Sequence, residues 1–108
     1  MQKLLSTNKC EKCDLSGANL KGKSLTAAKL YEANLSYTNL EKADLMQADL
    51  SGANFKKANL SGAHLRFTRC YGTNFEQANL TKAVVSKKWY TLIQTQNVKG
   101  FGFIHWVQ

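Results

Sequence analysis

Proline is missing altogether, histidine occurs twice, and 7 acidic residues face 15 lysines and arginines, a formal charge of +8 over 108 residues. With no proline, 44% apolar and 20% charged residues, the chain is neither a disordered tail nor collagen-like. Its length allows one domain of modest size. No apolar run approaches the roughly 20 residues that span a bilayer, so no transmembrane segment is expected. The start, Met1-Gln2-Lys3-Leu4-Leu5-Ser6-Thr7-Asn8-Lys9, lacks the apolar stretch of about 7 to 15 residues that a secretory signal requires. Three cysteines are an odd number, which excludes a complete internal disulfide framework, and a chain without a signal keeps its thiols reduced. A cytoplasmic protein is the expectation, provided no leader has been removed ahead of Met1.

What is present is a period. Stepping by five residues from Cys10 gives Leu15, Leu20, Leu25, Leu30, Leu35, Leu40, Leu45, Leu50, Phe55, Leu60, Leu65, Cys70, Phe75, Leu80 and Val85, sixteen apolar residues in succession. Two positions before each lies a mostly small residue, as at Ala18, Ala28, Ala33, Ala43, Ala48, Ala53, Ala58, Ala63, Ala78 and Ala83, with Thr38, Thr68 and Thr73 as near substitutes. Between these columns stands Asn or Asp, at Asp14, Asn19, Asn34, Asn39, Asp44, Asp49, Asn54, Asn59, Asn74 and Asn79. The unit reads Ala-Asn-Leu and then two mostly polar or glycine positions.

On a helix each successive leucine would rotate by about 140°, scattering the column around the circumference. Within one unit the small residue and the leucine are two apart, which is strand spacing and points both to one side. In a straight strand an odd period would reverse the next unit, so the chain must turn once per unit. The product is a solenoid with the leucines stacked inside.

Stretches such as Asp14-Leu15-Ser16-Gly17-Ala18-Asn19-Leu20 and Ser51-Gly52-Ala53-Asn54-Phe55 resemble the pentapeptide repeat proteins, over about residues 8 to 85. The resemblance implies an all-β solenoid, a right-handed four-sided β-helix with one pentapeptide per side and about 20 residues per coil. Sixteen units then make about four coils, about 19 Å tall at about 4.8 Å per coil. The implied organisation is an N-terminal cap (1–7), the β-helix (8–85) and an aromatic C-terminal cap or dimerisation segment (86–108).

In coils of that size Asn19, Asn39, Asn59 and Asn79 stack, as do Asp14, Asn34, Asn54 and Asn74, and the amides are expected to hydrogen-bond from coil to coil. The other reading of these columns is a carboxamide- or phosphate-binding strip. Lys29, His64, Arg69 and Val84 interrupt the remaining sides. Phe55 and Phe75 are expected to stack in the core, and Lys23, in the small column, to send its ammonium out through the N-terminal end. Cys10 and Cys13 have the spacing of a metal or redox pair. No second pair completes a zinc site, so no metal is expected, and a Cys10–Cys13 disulfide would follow in an oxidising compartment.

Residues 86–108 leave the pentapeptide pattern. Trp89, Leu92, Ile93 and Gln96 have helical spacing after Ser86, an expected N-cap, with Gly100 as the expected stop. With Phe101, Phe103 and Trp106, Trp89, Leu92 and Ile93 form a candidate terminal cap or homodimer contact. The sharper alternative is that Gly100–Gln108, β-prone and free of negative charge, pairs with another chain.

No convergent nucleophile, base and oxyanion donors can be assembled around His64 or His105, and a filled axis has no pocket, so neither an enzyme nor a cofactor is expected. The resembling family is best known for protecting DNA gyrase by imitating duplex DNA, which needs negative charge along the rod; this chain carries the opposite sign. The leading reading is a noncatalytic scaffold that presents a rigid surface to an unidentified protein partner. The alternative is electrostatic binding of an acidic surface, nucleic acid or anionic lipid, weakened because the basic residues are dispersed and no nucleic-acid motif appears. Tyr31 and Tyr71 are expected on one side two coils apart, with Arg66, Phe67 and Arg69 turning the corner into Tyr71 and Met46 one coil below Arg66. These six form the candidate interaction surface, because exposed Tyr, Phe, Met and Arg dominate interface energetics.

Overall fold

The structure, a computed structural model, describes residues 1–108. All sixteen axis residues from Cys10 to Val85 are buried, none more than 3% exposed. Parallel bridges join residues 20 apart, from Lys9↔Lys29 through Asn59↔Asn79, so five-residue units close a four-sided coil. Side one carries Cys10, Leu30, Leu50 and Cys70 on the axis, and side two Leu15, Leu35, Phe55 and Phe75. Side three carries Leu20, Leu40, Leu60 and Leu80, and side four Leu25, Leu45, Leu65 and Val85. Each side is so short that most rungs are single bridges. Formal strands appear only on side four, where β1 (His64–Leu65), β2 (Val84–Ser86) and β3 (His105–Val107) lie parallel in that order.

The corners follow from one turn repeated. The N–H of the small residue donates back to the axis residue three before it, as Ala18 to the Leu15 carbonyl at 3.0 Å and Ala48 to Leu45 at 3.0 Å, except at Thr68, whose hydroxyl donates to the Leu65 carbonyl instead. The second residue between them has φ near +60°, which makes a type II turn. Five of the seven glycines stand there, at Gly17, Gly22, Gly52, Gly62 and Gly72, where a missing Cβ makes positive φ inexpensive. Elsewhere Ala, Lys, Glu, Gln, Tyr or Phe takes the same conformation, at about 1 kcal/mol or more each, and the ladder on either side holds it there.

The Asn and Asp columns do not form the expected amide ladder. Their Oδ1 atoms instead accept the backbone N–H two residues on, as Asn54 from Lys56 at 2.9 Å and Asn59 from Ser61 at 3.0 Å. The side chain therefore closes the turn beside it. Within these columns one side-chain to side-chain bond crosses coils, from Asn34 Nδ2 to Asp14 Oδ1 at 3.5 Å. Ser16 holds the Asp14 carboxyl below the usual range, chiefly through its hydroxyl and then its N–H.

Phe55 and Phe75 stack with centroids 5.5 Å apart. Thr38, Thr68 and Thr73 sit buried in the small column because their hydroxyls donate to the Leu35, Leu65 and Leu50 carbonyls. Burial pushes the Cys70 thiol up to about 11, against opposing hydrogen bonds from Thr68 and Thr73. In the first coil, with no coil beneath it, the small column opens: Cys13 and Ala18 are half-buried and Lys23 is exposed. Helix α1 (Gln2–Thr7) lays Leu4, 1% exposed, against the core at that end. Cys10 and Cys13 form a disulfide across the first turn.

Beyond Val85 the pentapeptide pattern stops but the ladder does not. After a short excursion through a 3-10 turn (Lys87–Trp89) and α2 (Tyr90–Gln94), Lys99 bridges Asn79 and β3 pairs with β2. Gly100–Gln108 thus spends one edge on β2 within its own chain and keeps the other edge open. Two capping expectations are also corrected. The Ser86 hydroxyl does not cap the helix; it accepts the Phe67 N–H at 2.9 Å. Helix α2 ends at Gln94, not Gly100, which at φ 75° opens a second 3-10 turn where a Cβ would collide with the Thr81 side chain and backbone.

Side chains also occupy ladder positions that another coil would fill. The Gln96 side chain accepts from the Phe75 N–H and donates to the Thr73 carbonyl at 3.0 Å, while Trp89 Nε1 donates to the Thr68 carbonyl at 3.0 Å. No helix is long and apolar enough to cross a membrane.

Candidate functional site

Side four turns into side one through Arg66 and Phe67, and the chain leaves side one through Tyr71. Positive φ at Phe67 aims its ring outward, leaving it 54% exposed, and Tyr71 is 52% exposed. The Arg66 guanidinium lies over the Phe67 ring at 4.7 Å and Arg69 over Tyr71 at 5.6 Å. The C-terminal segment brings the Trp89 ring edge-on to Tyr71 at 4.9 Å. Lys88 follows it, donating to the Tyr71 hydroxyl at 2.8 Å while lying 5.1 and 5.2 Å from the Tyr71 and Trp89 rings.

Between these groups runs an open groove of about 330 Å³, lined by Phe67, Thr68, Arg69, Ser86, Lys88, Trp89 and Gln108. Trp89 is 6% exposed and forms its floor. The chain's two ion pairs, Lys12–Glu32 at 3.8 Å and Lys21–Glu41 at 3.4 Å, lie on other turns, so Arg66, Arg69 and Lys88 have no carboxylate partner. Arg66 Nε is buried and makes no hydrogen bond. The Tyr71 phenol is held below its usual value, first by the hydrogen bond from Lys88 and then by the charges of Lys88 and Arg69. The corner offers N–H donors, positive charge and aromatic faces together; no acid, base and nucleophile meet there.

Of the six candidate residues, Arg66, Phe67, Arg69 and Tyr71 come together here. Met46 stands one rung below Arg66, its neighbour Gln47 donating an N–H to the Arg66 carbonyl at 3.0 Å. Tyr31 is two rungs from Tyr71 across Ser51, exposed and outside the cluster. Lys88 and Ser86 are missed by the pentapeptide count because they lie past its end; the run Ser86-Lys87-Lys88-Trp89 was the available signal. Of the C-terminal candidates, Trp89 and Ile93 are buried and Leu92, Phe101 and Trp106 pack against the core, while Phe103 is 68% exposed.

At the opposite corner, between sides two and three, a wider groove of about 710 Å³ is lined by Tyr37, Lys57, Asn59, Asn79, Lys99 and their neighbours.

The family model of pentapeptide repeats matches residues 9–47 and 43–81. No curated protein matches the chain. Among solved structures, the chain is similar to Rfr23, a pentapeptide repeat protein from the cyanobacterium Cyanothece 51142, at 23% identity and a TM-score of 0.54, covering 99% of this chain and 92% of that one. It is similar to alr5209, a pentapeptide repeat protein from Nostoc Pcc 7120, at 25% identity and a TM-score of 0.55, covering 98% and 90%. QnrB1, a plasmid-mediated fluoroquinolone resistance protein, aligns at 24% identity and a TM-score of 0.55 over 73% of this chain and 47% of that one. These similarities establish a shared fold.

Proposed function

The chain belongs to the pentapeptide repeat family, and from that membership we propose that it is a noncatalytic scaffold whose side four–side one corner docks a protein partner. The carrying observation is the convergence of Arg66, Phe67, Arg69, Tyr71, Lys88 and Trp89 around one groove. A β-helix holds such groups rigid, so little side-chain ordering opposes binding. In this reading the repeats close as about four coils, sealed by α1 at one end and by Trp89, Ile93 and Ile104 at the other. The charge of +8 argues against a gyrase-protecting DNA mimic.

The test is a pull-down from the source organism with the intact chain and with a variant carrying Phe67→Ser, Arg69→Ala and Tyr71→Ser, both checked by circular dichroism. The variant should fold and lose the retained protein. Undiminished recovery would move the site to the C-terminal segment. There β3 is an edge strand and Phe103 is exposed, features that favour homodimerisation as the second reading.

The expected cytoplasmic setting and the Cys10–Cys13 bridge disagree, because cytosolic thiols are kept reduced. Counting free thiols on protein taken from its source decides between them.

A further inference from the structure

We propose that this corner recognises an acidic peptide segment of the partner, with carboxylates on Arg69 and Lys88 and an apolar side chain laid in the groove between Phe67 and Trp89. The proposal rests on the scaffold reading and adds the partner's chemistry.

The cations here are held in place yet unpaired. Arg69 and Lys88 are exposed and steadied by the Tyr71 ring. A guanidinium above a ring keeps its in-plane N–H groups for a carboxylate, which it can grip through two parallel bonds. The nearest carboxylate by rung, Asp49 below Arg69, is engaged: its Oδ1 accepts the Ser51 N–H at 3.1 Å. No acidic side chain lines the groove.

The floor separates a peptide from other anions. A duplex backbone needs a track of cations, and a single strand also needs open aromatic faces for its bases, whereas the indole here is only 6% exposed. Along side one the outward column runs Lys9, Lys29, Asp49, Arg69, so the track is broken one rung below the groove. A groove of about 330 Å³ with a buried Trp beneath it suits a side chain or two from an extended segment.

The test is selection of a displayed random peptide library on the intact chain, followed by anisotropy measurements with the selected peptides. The peptides should be enriched in Asp and Glu. Arg69→Gln with Lys88→Gln should weaken them about tenfold or more, whereas Lys57→Gln with Lys82→Gln, the same charge lost elsewhere, should change them less than about twofold. Melting curves of both double variants guard against misfolding. Neutral or basic selected peptides overturn the proposal, as do equal losses in the two variants. Tighter binding of duplex DNA or anionic vesicles, lost with the corner variant, also overturns it. If selection returns no acidic peptide but the corner variant still loses its partner in the pull-down, the acidic chemistry falls and the scaffold reading stands. If the partner is also retained, the acidic chemistry falls and the docking site moves to the C-terminal segment.

Discussion

Sides two and three differ from sides one and four at the position before each axis residue. From Asp14 to Asn74 and from Asn19 to Asn79 the first pair carries an acid or amide on every rung, each accepting the N–H two residues on. The second pair carries Lys9, Lys29, Asp49 and Arg69 on one side and Ser24, Asp44, His64 and Val84 on the other, and only Asp44 and Asp49 make that bond. All four sides nevertheless turn alike, with the same φ near +60° and, except at Thr68, the same backbone bond. The axis and the turn bond therefore suffice to build a side, and the Asn bond reinforces it. Two sides are released for other uses, and the aromatic and cationic corner stands where those two meet.

The largest test strikes what the faces share. Leu45→Asp places an unpaired charge on a dry axis and should cost more than about 4 kcal/mol, enough to leave the chain unfolded. Gln47→Asp, two residues on, should be nearly silent, since Asp tolerates the φ of 65° there. Thermal melts of the pair decide it, and similar curves would mean the axis is not what unites the sides.

The next test concerns the end of a regular side. Gln96→Leu leaves the Phe75 N–H and the Thr73 carbonyl without partners on side two, and should cost about 2 to 4 kcal/mol with rapid hydrogen exchange at Phe75. An unchanged melt would show that water serves that edge as well as the amide does.

How much of this was legible in the residues differs in the same way. The axis was readable because a period of five admits no helical face, and Cys10 to Val85 is buried as that period requires. The Asn role was misread: stacked amides suggest a ladder, but a type II turn offers each Oδ1 a nearer N–H. The glycines at Gly17, Gly22, Gly52, Gly62 and Gly72 already marked that turn. Periodicity could not place Gln96, Trp89 or Lys88, because their partners are backbone groups and rings contacted only after the chain has left the repeat and returned. Four of the six corner residues, Arg66, Phe67, Arg69 and Tyr71, were therefore visible, and Lys88 and Trp89 were not placed there.

A smaller effect sharpens the contrast between the sides directly. Asn54→Ala removes the acceptor for the Lys56 N–H on side two and should cost about 1 kcal/mol. Arg69→Ala on side one removes no such bond and should stay within about 0.5 kcal/mol while weakening partner binding. Denaturant midpoints at matched slope measure both. Equal losses would mean that side one is as structural as side two.

The smallest effect is electrostatic and confined to the irregular face. Lys88 holds the Tyr71 phenol down by donating to its oxygen and then by its charge, Arg69 adds a further charge, and burial acts the other way. A lowered folded pKa means that, between the folded and unfolded values, the unfolded chain holds the proton and the folded one does not. The pH-linked part of the stability from this contact is therefore absent below the folded value, where both states are protonated. It grows as pH rises through the folded value and is complete above the unfolded one. Ultraviolet titration, with Tyr71→Phe subtracted, should show Tyr71 ionising at lower pH in the wild type than in Lys88→Gln. At about 1 M salt the Debye length falls to about 3 Å, so the contribution of the charges should shrink while that of the hydrogen bond persists. A Tyr71 titration indifferent to both Lys88→Gln and salt would mean that the corner is not electropositive, removing the basis on which an acidic partner was assigned to it.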